Sequence, residues 1–211
     1  MIRGVILFPG AGSGAEHPSL RAIETMLAPV PVQRVDFPYR RAGRKLPDRA
    51  PLLIAAVRDA LQEACEQWAC NSSDVVIGGR SMGGRMCSMA VAGFTGNERA
   101  TEPEATVSPN DEPLDVAGLV CVSYPLHRPK KPTNLRVAHL PFVRVPSLFV
   151  SGTRDEFASP AELRRCLAVI PTTPEVQLVD GARHDLRGKD EVVAGMIADW
   201  VQRQESSPSR S

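Results

Sequence analysis

Six short apolar runs, separated by segments with helical spacing, constrain the fold of this chain most strongly. Each run is five or six residues long, which suits a buried strand better than a buried helix. The runs lie at residues 3–8, 32–37, 74–78, 117–122, 147–151 and 175–179. Strands that alternate with helices predict a parallel sheet with helices on both faces and right-handed crossovers. We therefore expect an α/β fold: a three-layer α/β/α sandwich around a doubly wound, mainly parallel six-stranded sheet with the strand order 2-1-3-4-5-6.

Apolar periodicity and capping signals locate the helices between these runs. Apolar residues recur at helical spacing in 54–68 and 193–200, and a further helix is expected at 84–92. Ser159, followed by Pro160 and then by Glu162, offers an N-cap serine with a glutamate three residues later. This pattern predicts a capping box at the start of the helix after the fifth strand.

The length of the chain favours one domain. With 211 residues, 43% of them hydrophobic, the chain can bury one sizeable core. We expect a single domain at 1–203, with a mobile acidic loop at 95–115 and a disordered tail at 204–211. The connection at 124–146 is basic, rich in proline and too short to form a helical cap domain.

The charge balance excludes several classes of partner. The chain has 25 Lys and Arg residues and 24 Asp and Glu residues. A net charge of +1 creates no overall field that would attract nucleic acid or an anionic membrane. The N-terminus lacks the features of a signal peptide, and no apolar run approaches the roughly 20 residues that span a bilayer. We expect a cytoplasmic protein with neither a nucleic-acid nor a membrane partner, and the oligomeric state stays open.

The cysteines and histidines show no metal-binding pattern. The chain has five cysteines without a C-x-x-C pair, and it has no H-x-x-x-H motif. The cysteines are Cys65, Cys70, Cys87, Cys121 and Cys166. We expect them to pack as small core residues, and we expect no metal or other cofactor.

The sequence G-R-S-M-G at 79–83 follows the third apolar run and precedes a helix. A G-x-S-x-G sequence in this context predicts a sharp turn that exposes Ser81 and leaves little room for side chains two positions to either side. The same turn places the Met82 N–H at a helix start, where an oxyanion can be stabilised. Ser81 is thus the candidate nucleophile, and the alternative is a glycine-rich turn without chemistry.

A serine hydroxyl needs a base, and the base needs an acid that orients it. His184 follows the sixth strand and Asp155 follows the fifth, so both are expected at the sheet edge where Ser81 lies. Ser81, Asp155 and His184 also occur in the chain order of an α/β-hydrolase triad. The alternatives that the sequence leaves open are His17, His127 and His139 for the base, and Glu156 and Asp180 for the acid.

A glycine-rich loop after the first strand supplies a candidate oxyanion hole. The loop contains Gly10, Ala11 and Gly12, and small residues there let backbone N–H groups approach a ligand. Strands one and three are neighbours in the expected order, so Ala11 and Met82 are the candidate pair of N–H donors. A phosphate loop is the alternative, but the glycine spacing matches neither the G-x-G-x-x-G nor the G-K-[ST] pattern.

Several residues beside these motifs are candidate substrate contacts. Gly10, Gly12, Arg80 and Arg85 flank the expected nucleophile, and the arginines would suit a substrate that carries a carboxylate. Three further basic residues follow the second strand: Arg40, Arg41 and Lys45. Solvated surface charge is the alternative explanation for all of these cations.

With these motifs in place, the chain resembles the α/β-hydrolase superfamily, and in particular its small, cap-less members similar to dienelactone hydrolases. It is also similar to the hydrolase-like domain of bacterial proteins and of testis-expressed and acetyltransferase-regulatory proteins of animals. The resemblance rests on P-G-A-G at 9–12, G-R-S-M-G-G-R at 79–85, Y-P-L-H at 124–127, S-G-T-R-D at 151–155 and G-A-R-H at 181–184. It implies the same triad and the same oxyanion donors. In a departure from the family, Phe8-Pro9 replaces the His-Gly pair that commonly precedes the oxyanion loop.

These residues predict a serine hydrolase that cleaves a carboxylic ester or thioester of a small acyl substrate. Peptidase activity needs the same triad, so the sequence does not separate it from esterase activity. The alternative from another class is a non-catalytic protein-interaction module, because a fold alone does not imply catalysis.

Overall fold

The computed structural model describes residues 1–96, 108–127, 131 and 133–206. Within these residues, six parallel strands form one sheet with the order β2-β1-β3-β4-β5-β6. The strands are β1 (Gly4–Phe8), β2 (Val32–Arg34), β3 (Val75–Arg80), β4 (Gly118–Val122), β5 (Ser147–Gly152) and β6 (Glu175–Val179). The predicted doubly wound sheet is confirmed, and its order reverses between β1 and β3.

Six α-helices connect the strands in the described part of the chain. They are α1 (Pro18–Leu27), α2 (Pro38–Arg41), α3 (Ala50–Trp68), α4 (Met82–Val91), α5 (Pro160–Leu167) and α6 (Asp190–Ser206). The predicted capping box at α5 is confirmed: the Glu162 N–H donates to Ser159 Oγ (3.4 Å), and the Ser159 N–H donates to Glu162 Oε2 (3.1 Å). Local polar side chains thus set where this helix begins.

The two faces of the sheet carry separate hydrophobic cores because successive strand residues point to opposite sides. On β1, Val5 and Leu7 face α1 and α6, whereas Ile6 and Phe8 face α3, α4 and α5. Both cores are built from fully buried aliphatic and aromatic side chains. Burying one such side chain stabilises the fold by about 1.5–3 kcal/mol, so both faces hold the sheet in place.

The carboxyl ends of three strands differ from the sequence prediction, that of β5 by a single residue, Gly152. β2 ends at Arg34, three residues early, because the chain turns into α2 there and the Phe37 ring stacks on Phe8 with centroids 5.1 Å apart. β3 continues past the predicted end to Arg80, which pairs with Val122 of β4. The longer β3 brings Ser81 directly to the carboxyl edge of the sheet.

The acidic loop predicted at 95–115 falls largely on residues 97–107, which lie outside the described part. Its described ends are attached to the body of the protein. The Asn110 N–H donates to the Gly93 carbonyl (3.0 Å), and Arg58 of α3 pairs with Asp111 (3.0 Å).

The first three residues of the tail predicted at 204–211 belong to helix α6. Helix α6 continues to Ser206, since Arg203 pairs with Glu175 (2.8 Å) and Ser206 Oγ donates to the Gln202 carbonyl. The remaining tail residues, 207–211, lie outside the described part. None of the described helices is long and apolar enough to cross a membrane.

The cysteines occupy the interior to different degrees. Cys87, Cys121 and Cys166 are buried, whereas Cys65 and Cys70 are half-buried. Burial raises the pKa of the Cys87, Cys121 and Cys166 thiols. These three cysteines therefore stay protonated and pack as small apolar residues.

Candidate active site

Ser81 lies at a sharp turn between β3 and α4 and has a strained backbone. Its φ of 50° and ψ of −113° are rare for a residue with a side chain. A Cβ atom on Gly79 would overlap the Phe8 carbonyl, and a Cβ on Gly83 would overlap the carbonyls of Phe8 and Pro9. The close passage of the chain at the end of β1 explains why glycine is needed at both positions.

The structure brings Ser81 and His184 into direct contact. Ser81 Oγ lies 2.9 Å from His184 Nε2, although the two residues are 103 positions apart in the sequence. His184 lies in the loop between β6 and α6, at the carboxyl edge of the parallel sheet. With Nδ1 protonated, Nε2 is free to accept the proton of the serine hydroxyl.

Asp155 contacts the other side of the same imidazole. Its Oδ1 and Oδ2 each lie 3.0 Å from His184 Nδ1, and the carboxylate is fully buried. Ser151 Oγ donates to Oδ2 (3.0 Å), and the Phe157 N–H donates to Oδ1 (2.8 Å). These two donors fix the orientation of the carboxylate, so it holds His184 in one tautomer.

The other acids and histidines that the sequence offered have different surroundings. Asp180 accepts from Thr153 Oγ1 (3.2 Å), while Glu156 contacts Arg183 and the main chain of His184. The His139 ring is buried against Ser88 and Tyr124. His17 caps α1 and His127 is buried, although both line the same cleft as Ser81.

The His184 main chain and ring are held by residues that the sequence did not mark for this role. The His184 N–H donates to Glu156 Oε2 (3.3 Å), and the His184 carbonyl accepts from Arg80 Nη2 (3.4 Å). The Phe157 ring lies against the imidazole, with ring centroids 4.1 Å apart. Arg80 lines the cleft, as expected of a substrate contact, but its guanidinium also contacts the His184 carbonyl.

The candidate oxyanion donors, Ala11 and Met82, border the same space. Met82 is the first residue of α4, so its N–H has no acceptor inside the helix. Gly10 lies against Ser81, since a Cβ there would stand 3.6 Å from Ser81 Cβ. In the described part of the chain, the Ala11 N–H donates to no protein acceptor. Both N–H groups are therefore available to a ligand.

An open cleft of about 1700 Å³ surrounds Ser81. Its described lining includes Gly10, Ala11, Gly12, Arg80 and Arg85, which the sequence indicated. Arginines outnumber acids in this lining: they are Arg49, Arg80, Arg85 and Arg136, against Asp48 alone. Arg40, Arg41 and Lys45 lie outside the described lining.

Burial shifts the pKa of two basic side chains in the lining, His17 and Arg80. Burial, together with the charge of Arg80, lowers the pKa of His17, so this ring is neutral at pH 7. Burial also lowers the pKa of Arg80, and the carboxylates of Asp185, Asp190 and Asp155 oppose that shift. Arg80 remains a cation because the pKa of arginine is normally far above neutrality.

No cluster for a metal ion appears among the described residues: no group of three or more His, Cys, Asp or Glu side chains is arranged to hold one.

Comparison with solved structures supports the fold. The Est1E protein of Butyrivibrio proteoclasticus superposes with a TM-score of 0.71 at 14% identity, covering 98% of this chain and 89% of that one. A dienelactone hydrolase of Anabaena variabilis gives a TM-score of 0.67 at 20% identity, with coverages of 96% and 87%. A lid-less α/β serine hydrolase of Xanthomonas campestris gives a TM-score of 0.68 at 14% identity, with coverages of 100% of this chain and 86% of that one.

A family model provides the decisive match. The model described as an alpha/beta hydrolase domain matches residues 2–201, which is nearly the whole chain. The resemblance to small, cap-less α/β hydrolases is thereby confirmed. The chain belongs to the α/β hydrolase domain family.

Proposed function

We propose that this protein is a serine hydrolase that cleaves a carboxylic ester or thioester of a small acyl substrate. The observation that carries the proposal is the unbroken contact from Ser81 Oγ to His184 Nε2 and from His184 Nδ1 to Asp155. A hydroxyl, an imidazole and a buried carboxylate in this order can activate the serine as a nucleophile.

In the first half of the reaction, Ser81 Oγ attacks the acyl carbon while His184 Nε2 takes the hydroxyl proton. The carbonyl π electrons move to oxygen and form a tetrahedral oxyanion. When that intermediate collapses, the bond to the leaving group breaks and His184 gives the proton to the leaving group. The acyl group is then an ester on Ser81.

In the second half, a water molecule attacks the acyl carbon and His184 takes one of its protons. Collapse of the second tetrahedral intermediate returns that proton to Ser81 Oγ and releases the carboxylic acid. Asp155 stabilises the imidazolium formed in each half. Because its carboxylate already accepts from Ser151 and Phe157, it need not reorient during the reaction.

The Ala11 and Met82 N–H groups are the proposed donors to the oxyanion. Loss of one such donor in other enzymes reduces kcat by about 10²–10³. The carbonyl group of Ala11 is held by Tyr39, which limits movement of the loop that carries the donor.

The proposed substrate is small or polar, because no cap domain covers the cleft among the described residues and an open cleft buries little of a long lipid chain. Arg85, one helical turn after Ser81, is the proposed contact for an anionic group on the substrate. Gly10 and Gly12 are proposed to border the acyl carbon. A cytoplasmic location and the absence of nucleic-acid and membrane partners stay predictions from the sequence.

Labelling with a fluorophosphonate tests the proposal, because the probe reacts with an activated serine. Wild type is compared with Ser81→Ala, His184→Ala and the control Ser73→Ala, an exposed serine at the opposite edge of the sheet. We expect the probe to label only wild type and the control. In a separate assay, the same two proteins should hydrolyse short p-nitrophenyl esters. A folded wild type that takes up no label would refute catalysis and favour the interaction module.

A further inference from the structure

Arg80 connects the strand that carries the nucleophile to the loop that carries the base. It is the last residue of β3 and directly precedes Ser81. Its Nη2 donates to the Asp185 carbonyl (2.7 Å) and lies 3.4 Å from the His184 carbonyl. One guanidinium nitrogen thus contacts two consecutive peptide groups of the loop between β6 and α6.

The peptide groups of His184 are held from two directions. Glu156 follows the acid Asp155 and accepts from the His184 N–H, while Arg80 precedes the nucleophile and donates to the His184 carbonyl. Burial alone would raise the pKa of Glu156, but hydrogen bonds from its own N–H, the His184 N–H and Arg183 lower it. Glu156 is adjacent to Asp155 in the chain, and Arg80 is adjacent to Ser81. The residues next to both proposed partners of His184 therefore hold the His184 backbone.

These contacts hold the stretch of backbone from which the imidazole projects. The loop at 180–189 contains no regular secondary structure, so its backbone bonds to the strands limit its movement. A base displaced by about 1 Å can reduce the rate on the order of a hundredfold.

We propose that Arg80 is a positioning residue for His184: its guanidinium fixes the loop so that Nε2 stays within reach of Ser81 Oγ. This inference rests on the proposed hydrolase function. It differs from a role in substrate binding, because Arg80 acts through the backbone of the base and not through the ligand.

The test uses Arg80→Met, Arg80→Lys and the control Arg187→Met. Arg187 is an exposed cation in the same loop. Phosphonylation of the protein by a fluorophosphonate and hydrolysis of p-nitrophenyl acetate are measured for each variant. For Arg80→Met we expect kcat to fall on the order of tenfold to a hundredfold with KM within about twofold of wild type. Arg80→Lys keeps the charge and one donor, so its kcat should lie between those of wild type and Arg80→Met, while Arg187→Met should match wild type.

An increase in KM at unchanged kcat would overturn the proposal and make Arg80 a substrate contact. Unchanged kinetics would overturn it as well. If Arg80→Met does not fold, as judged by thermal unfolding, Arg80→Lys provides the same comparison of kcat with KM.

Hydrogen exchange separates this inference from the proposed function. In Arg80→Met, the amides of residues 183–187 should exchange faster, while those of α3 should be unchanged. If wild type takes up no fluorophosphonate, the hydrolase function fails. The exchange rates still decide whether Arg80 holds the loop, and equal rates in both proteins would refute it.

Discussion

Tyr39 Oη donates a 2.9 Å hydrogen bond to the carbonyl oxygen of Ala11. The tyrosine is fully buried and belongs to the short helix α2, whereas Ala11 lies in the glycine-rich loop after β1. A buried side chain 28 residues away thus anchors the loop that carries a proposed oxyanion donor.

Tyr39→Phe should slow the reaction with little effect on substrate binding. Loss of one hydrogen bond of about 1 kcal/mol corresponds to roughly a fivefold lower kcat. The kcat is measured from the steady-state hydrolysis of p-nitrophenyl acetate. Tyr124→Phe is the control, because that buried hydroxyl bonds to Arg136 and His139 and not to Ala11. Equal kcat values in wild type and Tyr39→Phe would contradict the anchoring role.

Gly83→Ala should destabilise the fold, since the new methyl group would overlap the carbonyls of Phe8 and Pro9. We expect the free energy of unfolding to fall by about 1–3 kcal/mol, as for other overpacked sites, in urea titrations. Gly195→Ala in α6 has open space around the new Cβ and should instead stabilise by about 0.5–1 kcal/mol. A free energy of unfolding of Gly83→Ala equal to or above that of wild type would show that the close passage at Gly83 is not tight.

Asp155→Asn should reduce kcat by about 10³–10⁴, because an amide can neither hold the same imidazole tautomer nor stabilise the imidazolium. The measurement is hydrolysis of p-nitrophenyl acetate together with fluorophosphonate labelling. Asp180→Asn makes the same chemical change in an acid that contacts Thr153, and its activity should equal that of wild type. A larger loss in Asp180→Asn than in Asp155→Asn would reassign the acid.

Glu162→Gln should lower the free energy of unfolding more at neutral pH than at low pH. Hydrogen bonds from Ser159 lower the pKa of Glu162 in the folded protein, so its ionised form is stabilised by folding. That contribution is present above the pKa of the unfolded chain, about 4.3, and is lost as pH falls through the lower folded value. In urea titrations, the difference in stability between wild type and Glu162→Gln should therefore be larger at pH 7 than near pH 3. A difference that persists unchanged at pH 3 would exclude the ionised capping box as its source.

An anionic acyl group should be preferred over a neutral one of similar size. Arginines outnumber acids in the described lining, and Asp48 is already bound by Arg44. We expect kcat/KM for the p-nitrophenyl monoester of succinate to exceed that for p-nitrophenyl butyrate. Arg85→Met should remove about tenfold of that advantage, consistent with loss of a charge-assisted hydrogen bond. Equal values for both esters in wild type would refute the anionic preference.

Local sequence patterns determined most of the secondary structure and the topology of this protein. The six apolar runs, the capping box at Ser159 and the glycines around Ser81 act over a few residues, so their spacing alone indicates strands, a helix start and a sharp turn. The parallel topology then follows from the alternation of strands and helices. It also brings Asp155 and His184 to the edge where Ser81 lies.

Only the tertiary structure decided which of the candidate acids and histidines contact one another. It also decided that β2 ends at Arg34, and that Tyr39 and Phe157 take part in the site. Arg80, which the sequence indicated as a substrate contact, proved to be bound to the His184 loop. Hydrogen bonds there join residues 28 to 105 positions apart in the sequence, and such contacts depend on how layers pack and not on local spacing. Periodicity and motif spacing describe neighbours along the chain, whereas the geometry of this site is set by neighbours in space.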